Sequence, residues 1–213
     1  MRFTVGAMLL VTLLAADQSG AAIIAGQTDN FQDGSIESWD GGTIRTNEAG
    51  PTGENRYLEI RSSNRMASYN TSGDWTGDYA SAGIAAIEAD MITAHGSPLS
   101  MRIVLFGPGS SDNRFTSTEA VTLPNDGEWH RLTFPVEGPD LTRVKGSTTY
   151  DAMFANVGKL MFRHQAGAPE AGGNPIGSAT LGIDNIRAVP EPTSLGLVVL
   201  GSILLSSRKR TLR

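Results

Sequence analysis

Short segments in which apolar and polar residues alternate run through the middle of the chain, and turns rich in glycine and proline separate them. Such alternation places the apolar side chains on one face of a β-strand, whereas no long segment has the period of a helix. The alanine-rich stretch 80–89 is the place where a helical turn is the alternative prediction. The clearest predicted strands are residues 57–61, 83–92, 99–106, 119–123, 129–136, 159–164 and 179–189.

The breaks between these segments predict the fold class. Residues 50–51, 96–98, 107–109, 125–127 and 172–175 combine Gly with Pro, Asn or Asp, which are the residues that turns require. Many short strands at this spacing predict an all-β protein built as a single antiparallel β-sandwich, and a jelly roll fits the number of strands.

Composition and charge exclude several kinds of chemistry. The chain has 213 residues, a formal net charge of −5 and no cysteine. The absence of cysteine rules out a disulfide scaffold, a thiolate metal site and a cysteine nucleophile. Because an acidic chain offers no electrostatic footprint for a phosphate backbone, no nucleic acid partner is predicted.

The first 22 residues have the three regions of a secretory signal. Met1 and Arg2 form a short positive region, residues 5–16 are an apolar run, and residues 20–22 are small. This order predicts an N-terminal signal helix that the export machinery recognises and that signal peptidase removes after Ala22. A buried core helix is the alternative.

The other end of the chain combines a short motif, an apolar run and a basic cluster. Pro190, Glu191 and Pro192 precede the apolar residues 194–205, and four basic residues follow within 208–213. The apolar run is much shorter than the roughly 17 to 25 residues of a stable transmembrane helix, although its basic flank should stay cytoplasmic. An ordinary single-span anchor is the alternative to a temporary one.

These three elements in this order resemble the PEP-CTERM sorting signal of Gram-negative bacteria. The resemblance implies that an exosortase-type enzyme cleaves near Pro190, Glu191 and Pro192, so that Glu191 is a substrate residue. The protein would be held briefly at the inner membrane by a short hydrophobic helix and then delivered to the cell surface or outside the cell. The predicted organisation is a signal peptide at 1–22, a sandwich domain at 23–189 and a sorting signal at 190–213.

Scattered motifs in the central domain resemble the jelly rolls of the galactose-binding-like superfamily, which includes many carbohydrate-binding modules. These motifs are residues 29–34 with Trp39, residues 73–76, 99–102 and 127–129, and the closing segment 182–186. The resemblance implies a structural Ca²⁺ held by Asp184, with Asp29 and the carbonyl near Gly53 as further ligands, because calcium prefers hard oxygen ligands. Asp29 and Asp184 acting only as turn caps is the alternative.

Aromatic and arginine residues are the candidates for binding a ligand. Trp75 is predicted as a stacking platform for a sugar ring, and Trp39, Trp129 and Tyr79 are further candidates, of which Trp39 and Trp129 also suit the ends of the core. Alternation puts Arg102 and Arg163 opposite the apolar face of their strands, where they could bind sugar hydroxyls or carboxylates. Salt bridges to surface acids are the alternative.

No arrangement typical of an enzyme is evident. His95, His130 and His164 lack metal-ligand spacing, and no Gly-x-Ser-x-Gly motif occurs. Glu88 and Asp90 lie two residues apart and could act as a glycosidic acid–base pair, but they also suit a solvated strand face. The sequence therefore predicts a non-catalytic exported protein that binds extracellular polysaccharide. A structural matrix protein without a ligand and a weak glycoside-active enzyme are the alternatives.

Overall fold

The computed structural model describes residues 22–46, 51, 56–94, 96–108 and 112–192. The predicted signal helix up to residue 21, the predicted C-terminal hydrophobic helix, Gly53 and His95 lie outside the described residues. Within the described ranges, no helix is both long enough and apolar enough to cross a membrane.

The described residues form two antiparallel sheets. The strands, numbered along the chain, are β1 (Thr28–Asp29), β2 (Trp39–Asp40), β3 (Thr43–Thr46), β4 (Arg56–Ser62), β5 (Ala67–Asn70), β6 (Ile84–Thr93), β7 (Leu99–Phe106), β8 (Arg114–Ser117), β9 (Val121–Leu123), β10 (His130–Pro135), β11 (Leu141–Lys145), β12 (Lys159–His164) and β13 (Ala179–Pro190). The first sheet has the order β10-β6-β13-β4-β3, with β1 paired to β13. The second has the order β11-β8-β7-β12-β5-β2, with β9 paired to β7. The chain is therefore a β-sandwich consistent with a jelly roll.

Helices are few in the described residues. Short 3₁₀ helices span Gly73–Trp75 and Gly138–Asp140, and α1 spans Tyr150–Phe154. The helix α1 begins after Thr149, whose hydroxyl oxygen accepts a hydrogen bond of 3.3 Å from the Ala152 amide. This N-cap satisfies one of the amide groups that the first helical turn leaves without a partner.

Large aromatic side chains fill the space between the two sheets. The ring of Phe162 on β12 lies 5.5 Å from that of Trp39 and 5.6 Å from that of Phe134 on β10 in the opposite sheet, measured between centroids. All three side chains are fully buried. Contacts of this kind contribute beyond the burial of apolar area, so they hold the two sheets together.

The seven predicted strands are confirmed, and each overlaps one of β4, β6, β7, β9, β10, β12 and β13. The alternative of a helical turn over 80–89 is wrong for most of that stretch. The chain enters β6 at Ile84, and Ile87, Ala89 and Met91 at every second position are all fully buried. A spacing of two buries one face of a strand, which a helix over the same residues would not do.

Candidate functional site

The face of the second sheet that points away from the core brings together residues from four strands. Arg163 on β12 is the direct cross-strand neighbour of Arg102 on β7. Their strand neighbours Ile103 and Phe162 are fully buried in the core, so both arginines lie on the opposite face, as strand alternation predicts. We call this surface the outer face of the second sheet.

Arg102 is enclosed rather than exposed. Its guanidinium donates hydrogen bonds to the backbone carbonyl oxygens of Ser117 at 2.5 Å, Thr118 at 2.7 Å, Gly167 at 2.6 Å and Gln165 at 3.3 Å. Only 3% of the residue is accessible to solvent. The prediction that Arg102 contacts a ligand is wrong, because the chain that follows β12 folds over it and uses its hydrogen-bonding capacity.

Arg163 anchors the same stretch of chain, residues 165–173, which we call the covering loop. Its guanidinium donates to the Ala171 carbonyl at 2.9 Å and the Gln165 side-chain oxygen at 2.5 Å, and it also bonds the Glu170 carbonyl. Arg163 is 4% exposed but also lines the cleft described next, so its contact with a ligand stays a prediction. Burial, reinforced by the nearby Arg114 and Arg102, lowers the pKa of Arg163 to about 10, which still leaves it protonated at neutral pH.

Beside the covering loop the outer face stays open as a cleft of about 270 Å³. We call it the outer-face cleft. Lys159 lies within it, and its ammonium group sits 4.6 Å from the ring centroid of Tyr69 and 4.5 Å from that of Phe106. The charged and large apolar residues that line the cleft include Arg65, Phe106, Arg114, Lys159, Met161 and Arg163.

The cleft combines apolar surface with cations. Met161 provides apolar area, with Tyr69 as its cross-strand partner, whereas Phe106 lines the cleft but is only 5% exposed. The flat apolar face of a sugar ring stacks on such a surface, and nearby basic side chains donate hydrogen bonds to its substituents. No Asp or Glu is among the residues that line the cleft, so the described residues there supply no carboxylate pair for glycosidic hydrolysis.

Most of this site could not be predicted from the sequence. Alternation within 159–164 places Lys159 and Met161 on the same face as Arg163, so the sequence could have indicated these two residues as part of the site. Nothing comparable pointed to Tyr69 or Arg114, because β5 and β8 are short, polar strands that the pattern did not reveal.

Two of the predicted aromatic platforms belong to a buried cluster at the start of the sandwich. Trp39 and Trp75 donate hydrogen bonds from their indole nitrogens to one carboxylate oxygen of Asp29, at 2.7 and 2.6 Å. Trp75, Trp39 and Tyr79 are fully buried. The prediction of Trp75 as a sugar platform is therefore wrong, and so are those for Trp39 and Tyr79, because no ring face is accessible.

Asp29 lies close to a second carboxyl group in this cluster. Burial raises the pKa of Asp29, although the two indole donors act in the opposite direction. Burial together with the neighbouring Asp29 raises the pKa of Glu37 to about 7. Glu37 also accepts a hydrogen bond of 3.1 Å from the amide of Phe31, which has a positive φ of 57°. Protonation of Asp29 and Glu37 therefore makes the stability of this buried cluster depend on pH.

The residues predicted to hold calcium do not converge in the described part of the chain. Asp29 points into the sandwich towards the two buried indoles. Asp184 is the cross-strand neighbour of Asp90. The Asp90 carboxylate in turn bonds the exposed Arg131 on the outer face of the first sheet. Burial raises the pKa of Asp184 to about 6. No group of three or more His, Asp or Glu within the described ranges could hold a metal ion, and Gly53 lies outside them. Asp29 and Asp184 have different polar partners, and their binding of one calcium ion stays a prediction.

The remaining candidates for catalysis have structural partners. Arg131 binds Asp90 through two hydrogen bonds of 2.9 and 3.0 Å, and the Thr133 hydroxyl bonds Glu88 at 3.3 Å. His164 accepts a bond of 3.1 Å from the Ser100 amide. His130 lies 2.9 Å from the Asp126 carboxylate on the exposed surface.

The predicted sorting motif begins inside the fold. Pro190 is the last residue of β13 and pairs with Ile84. The Glu191 amide donates a hydrogen bond of 2.9 Å to the Gly83 carbonyl, while both Glu191 and Pro192 are exposed. The last strand therefore runs directly into the motif, with no linker between them.

Comparison with known proteins links this architecture to carbohydrate-binding modules through the fold. No protein-family model matches the sequence, and no curated protein matches it. The chain is similar in structure to CtCBM11, studied in solution for its dynamics and binding, with a TM-score of 0.52, 15% identity and coverage of 83% of this chain and 99% of that one. It is also similar to the family 11 carbohydrate-binding module of the cellulosomal cellulase Lic26A-Cel5E of Clostridium thermocellum, with a TM-score of 0.50, 15% identity and coverage of 80% and 97%.

An exo-beta-agarase is a third similar structure, with a TM-score of 0.54, 14% identity and coverage of 82% of this chain. The match spans only 25% of the agarase chain, so this chain corresponds to a part of that enzyme. At identities this low the similarity shows the fold, and the ligand has to be argued from the site itself.

Proposed function

We propose that this protein is a non-catalytic polysaccharide-binding module and that the outer-face cleft is its binding site. The observation that carries the proposal is the cleft itself, in which the apolar side chain of Met161 lies among basic side chains and next to Tyr69, its partner across the strand pair. Two of the similar structures are carbohydrate-binding modules matched over nearly their whole length, which supports this use of the fold.

Removing the aromatic side chain of Tyr69 tests this proposal. Tyr69→Ala should weaken binding of the full chain to a polysaccharide about tenfold, because the lost stacking is worth about 1.4 kcal/mol. Isothermal titration with a panel of soluble polysaccharides provides the measurement. Trp129→Ala is the matched control, since Trp129 packs edge-to-face on Tyr57 at 5.4 Å, outside the second sheet.

The two variants also separate the competing functions. If Trp129→Ala abolishes binding and Tyr69→Ala does not, the site lies on the first sheet and the assignment to the cleft is overturned. If no polysaccharide binds, the structural matrix protein is favoured. If the chain releases sugar from a polymer and Glu88→Gln with Asp90→Asn stops it, the protein is a glycoside-active enzyme.

We further propose that the protein is exported and processed at both ends, as the resemblance of residues 190–213 to a PEP-CTERM signal implies. Signal peptidase would remove 1–22, and an exosortase-type enzyme would act at or after Pro190, Glu191 and Pro192 during a transient stay at the inner membrane. The exposure of Glu191 and Pro192 supports access by such an enzyme. Mass spectrometry of the mature protein tests this, and retention of residues 194–213 would contradict it.

A structural Ca²⁺ remains a prediction that rests on Asp184. Removing calcium with a chelator should lower the melting temperature of the full chain if the ion is bound, because a ligand that binds only the folded state stabilises it. An unchanged melting temperature would argue that Asp184 works without a metal.

A further inference from the structure

The residues that line the outer-face cleft carry positive charge, whereas the chain as a whole is negatively charged. Among the described residues that line it, four are basic and none is acidic, the basic ones being Arg65, Arg114, Lys159 and Arg163. The chain as a whole carries a net charge of −5. A local positive surface on an acidic chain attracts anions to one place while the rest of the molecule repels them.

Among the described residues, no carboxylate forms an ion pair with Lys159 or Arg65. The ion pairs among the described residues involve Arg45, Arg61, His130, Arg131 and Lys145. Lys159 instead packs against the faces of two aromatic rings, and Arg65 is exposed at the rim. Contact with a ring face holds the ammonium group in place but leaves its full charge available to a ligand.

Buried arginine side chains add to the positive charge of the cleft. Arg163 is almost fully buried, its hydrogen bonds run to neutral oxygens of the covering loop, and its Nε–H has no hydrogen-bond partner. Arg102 beside it likewise bonds only neutral carbonyls. Neutral acceptors satisfy these hydrogen bonds without cancelling charge, although the carboxylates of Glu170 and Glu119 act on Arg163 and Arg102 through space. Arg163 lines the cleft and therefore adds part of its positive charge to the field there.

We propose that the outer-face cleft selects polysaccharides that carry carboxylate or sulfate groups over neutral ones. The inference rests on the proposed binding function and adds the chemical class of the polymer to it. A sugar ring would pack against Met161 and the neighbouring Tyr69, and its acidic substituent would lie within reach of Lys159 and Arg65.

The test compares polymers that differ only in charge. Polygalacturonate and its carboxyl-reduced form are titrated into the full chain at low salt, alongside a sulfated galactan and neutral agarose. We expect polygalacturonate or the sulfated galactan to bind at least about tenfold tighter than its neutral counterpart, with an affinity that falls as salt is added. The carboxylate and sulfate arms show which acid the cleft prefers.

Variants tie the effect to this cleft. Lys159→Met with Arg65→Gln should weaken binding of the preferred acidic polymer about tenfold or more, since each removes one charge while Met keeps the apolar contact with the rings. Arg187→Gln with Arg61→Gln is the charge-matched control, because both arginines are exposed on strands β13 and β4 of the other sheet. Melting temperatures of all three chains verify that they are folded.

The outcomes distinguish the two levels of the proposal. Equal affinity for acidic and neutral polymers overturns the charge selection but leaves polysaccharide binding intact. An equal loss in the double control variant shows a general charge effect and overturns the assignment to the cleft. Failure of every polymer to bind overturns the proposed function and the selection together.

Discussion

Replacing Arg102 by methionine should destabilise the protein strongly without touching the hydrophobic core. The guanidinium bonds four carbonyl oxygens, of which those of Ser117 and Gln165 belong to buried residues. Each buried acceptor left without a donor costs about 1–3 kcal/mol, whereas the carbonyls of Thr118 and Gly167 lie nearer solvent and can bind water instead. Removing the desolvation cost of the charge offsets part of the loss, so we expect a net loss of about 3 kcal/mol.

For a chain of this size such a loss lowers the melting temperature by about 6–12 °C. Urea denaturation of the full chain measures the free energy directly, with Arg187→Met as the control for loss of an exposed strand arginine. The control should change stability by less than about 0.5 kcal/mol. If Arg102→Met is as stable as the control, the covering loop does not depend on this arginine and the reasoning is refuted.

Two further predictions concern close packing and pH. Gly182→Ala should lower the free energy of unfolding by about 1–3 kcal/mol, because the added carbon would lie 2.6 Å from Cγ2 of Ile92. Gly177→Ala is the control, because a carbon added there would have nothing within 4 Å. Equal urea midpoints for the two variants would contradict the clash. Folding favours protonated Glu37, whose pKa rises from 4.5 to about 7, so this group stabilises the protein fully below pH 4.5 and its contribution is lost as the pH rises towards 7. Glu37→Gln, which mimics the protonated group beside Asp29, should flatten the decline in melting temperature across this window, and parallel curves for the two chains would rule out the effect.

The fold class could be predicted because it depends on local pattern. In β7 and β12 apolar residues recur at every second position, and any chain with that pattern must cover one strand face to remove it from water. The short strands β3 and β5 could not be predicted from the pattern, because they lie towards the sheet edges and carry mostly polar residues. Their conformation comes from pairing with neighbouring strands, which local pattern does not reveal.

By itself, the sequence determined the all-β class, seven strands and the face on which Arg102 and Arg163 lie, since each follows from residues a few positions apart. Tertiary structure decided which side chains solvent can reach. It buried Trp75 against Asp29, and it folded residues 165–173 over both arginines. Tyr69 and Lys159, 90 positions apart in the chain, met only because β5 and β12 pair. A binding surface is assembled from contacts that are distant along the chain, and burial depends on what those distant segments cover, so neither can be determined from alternation along a single strand.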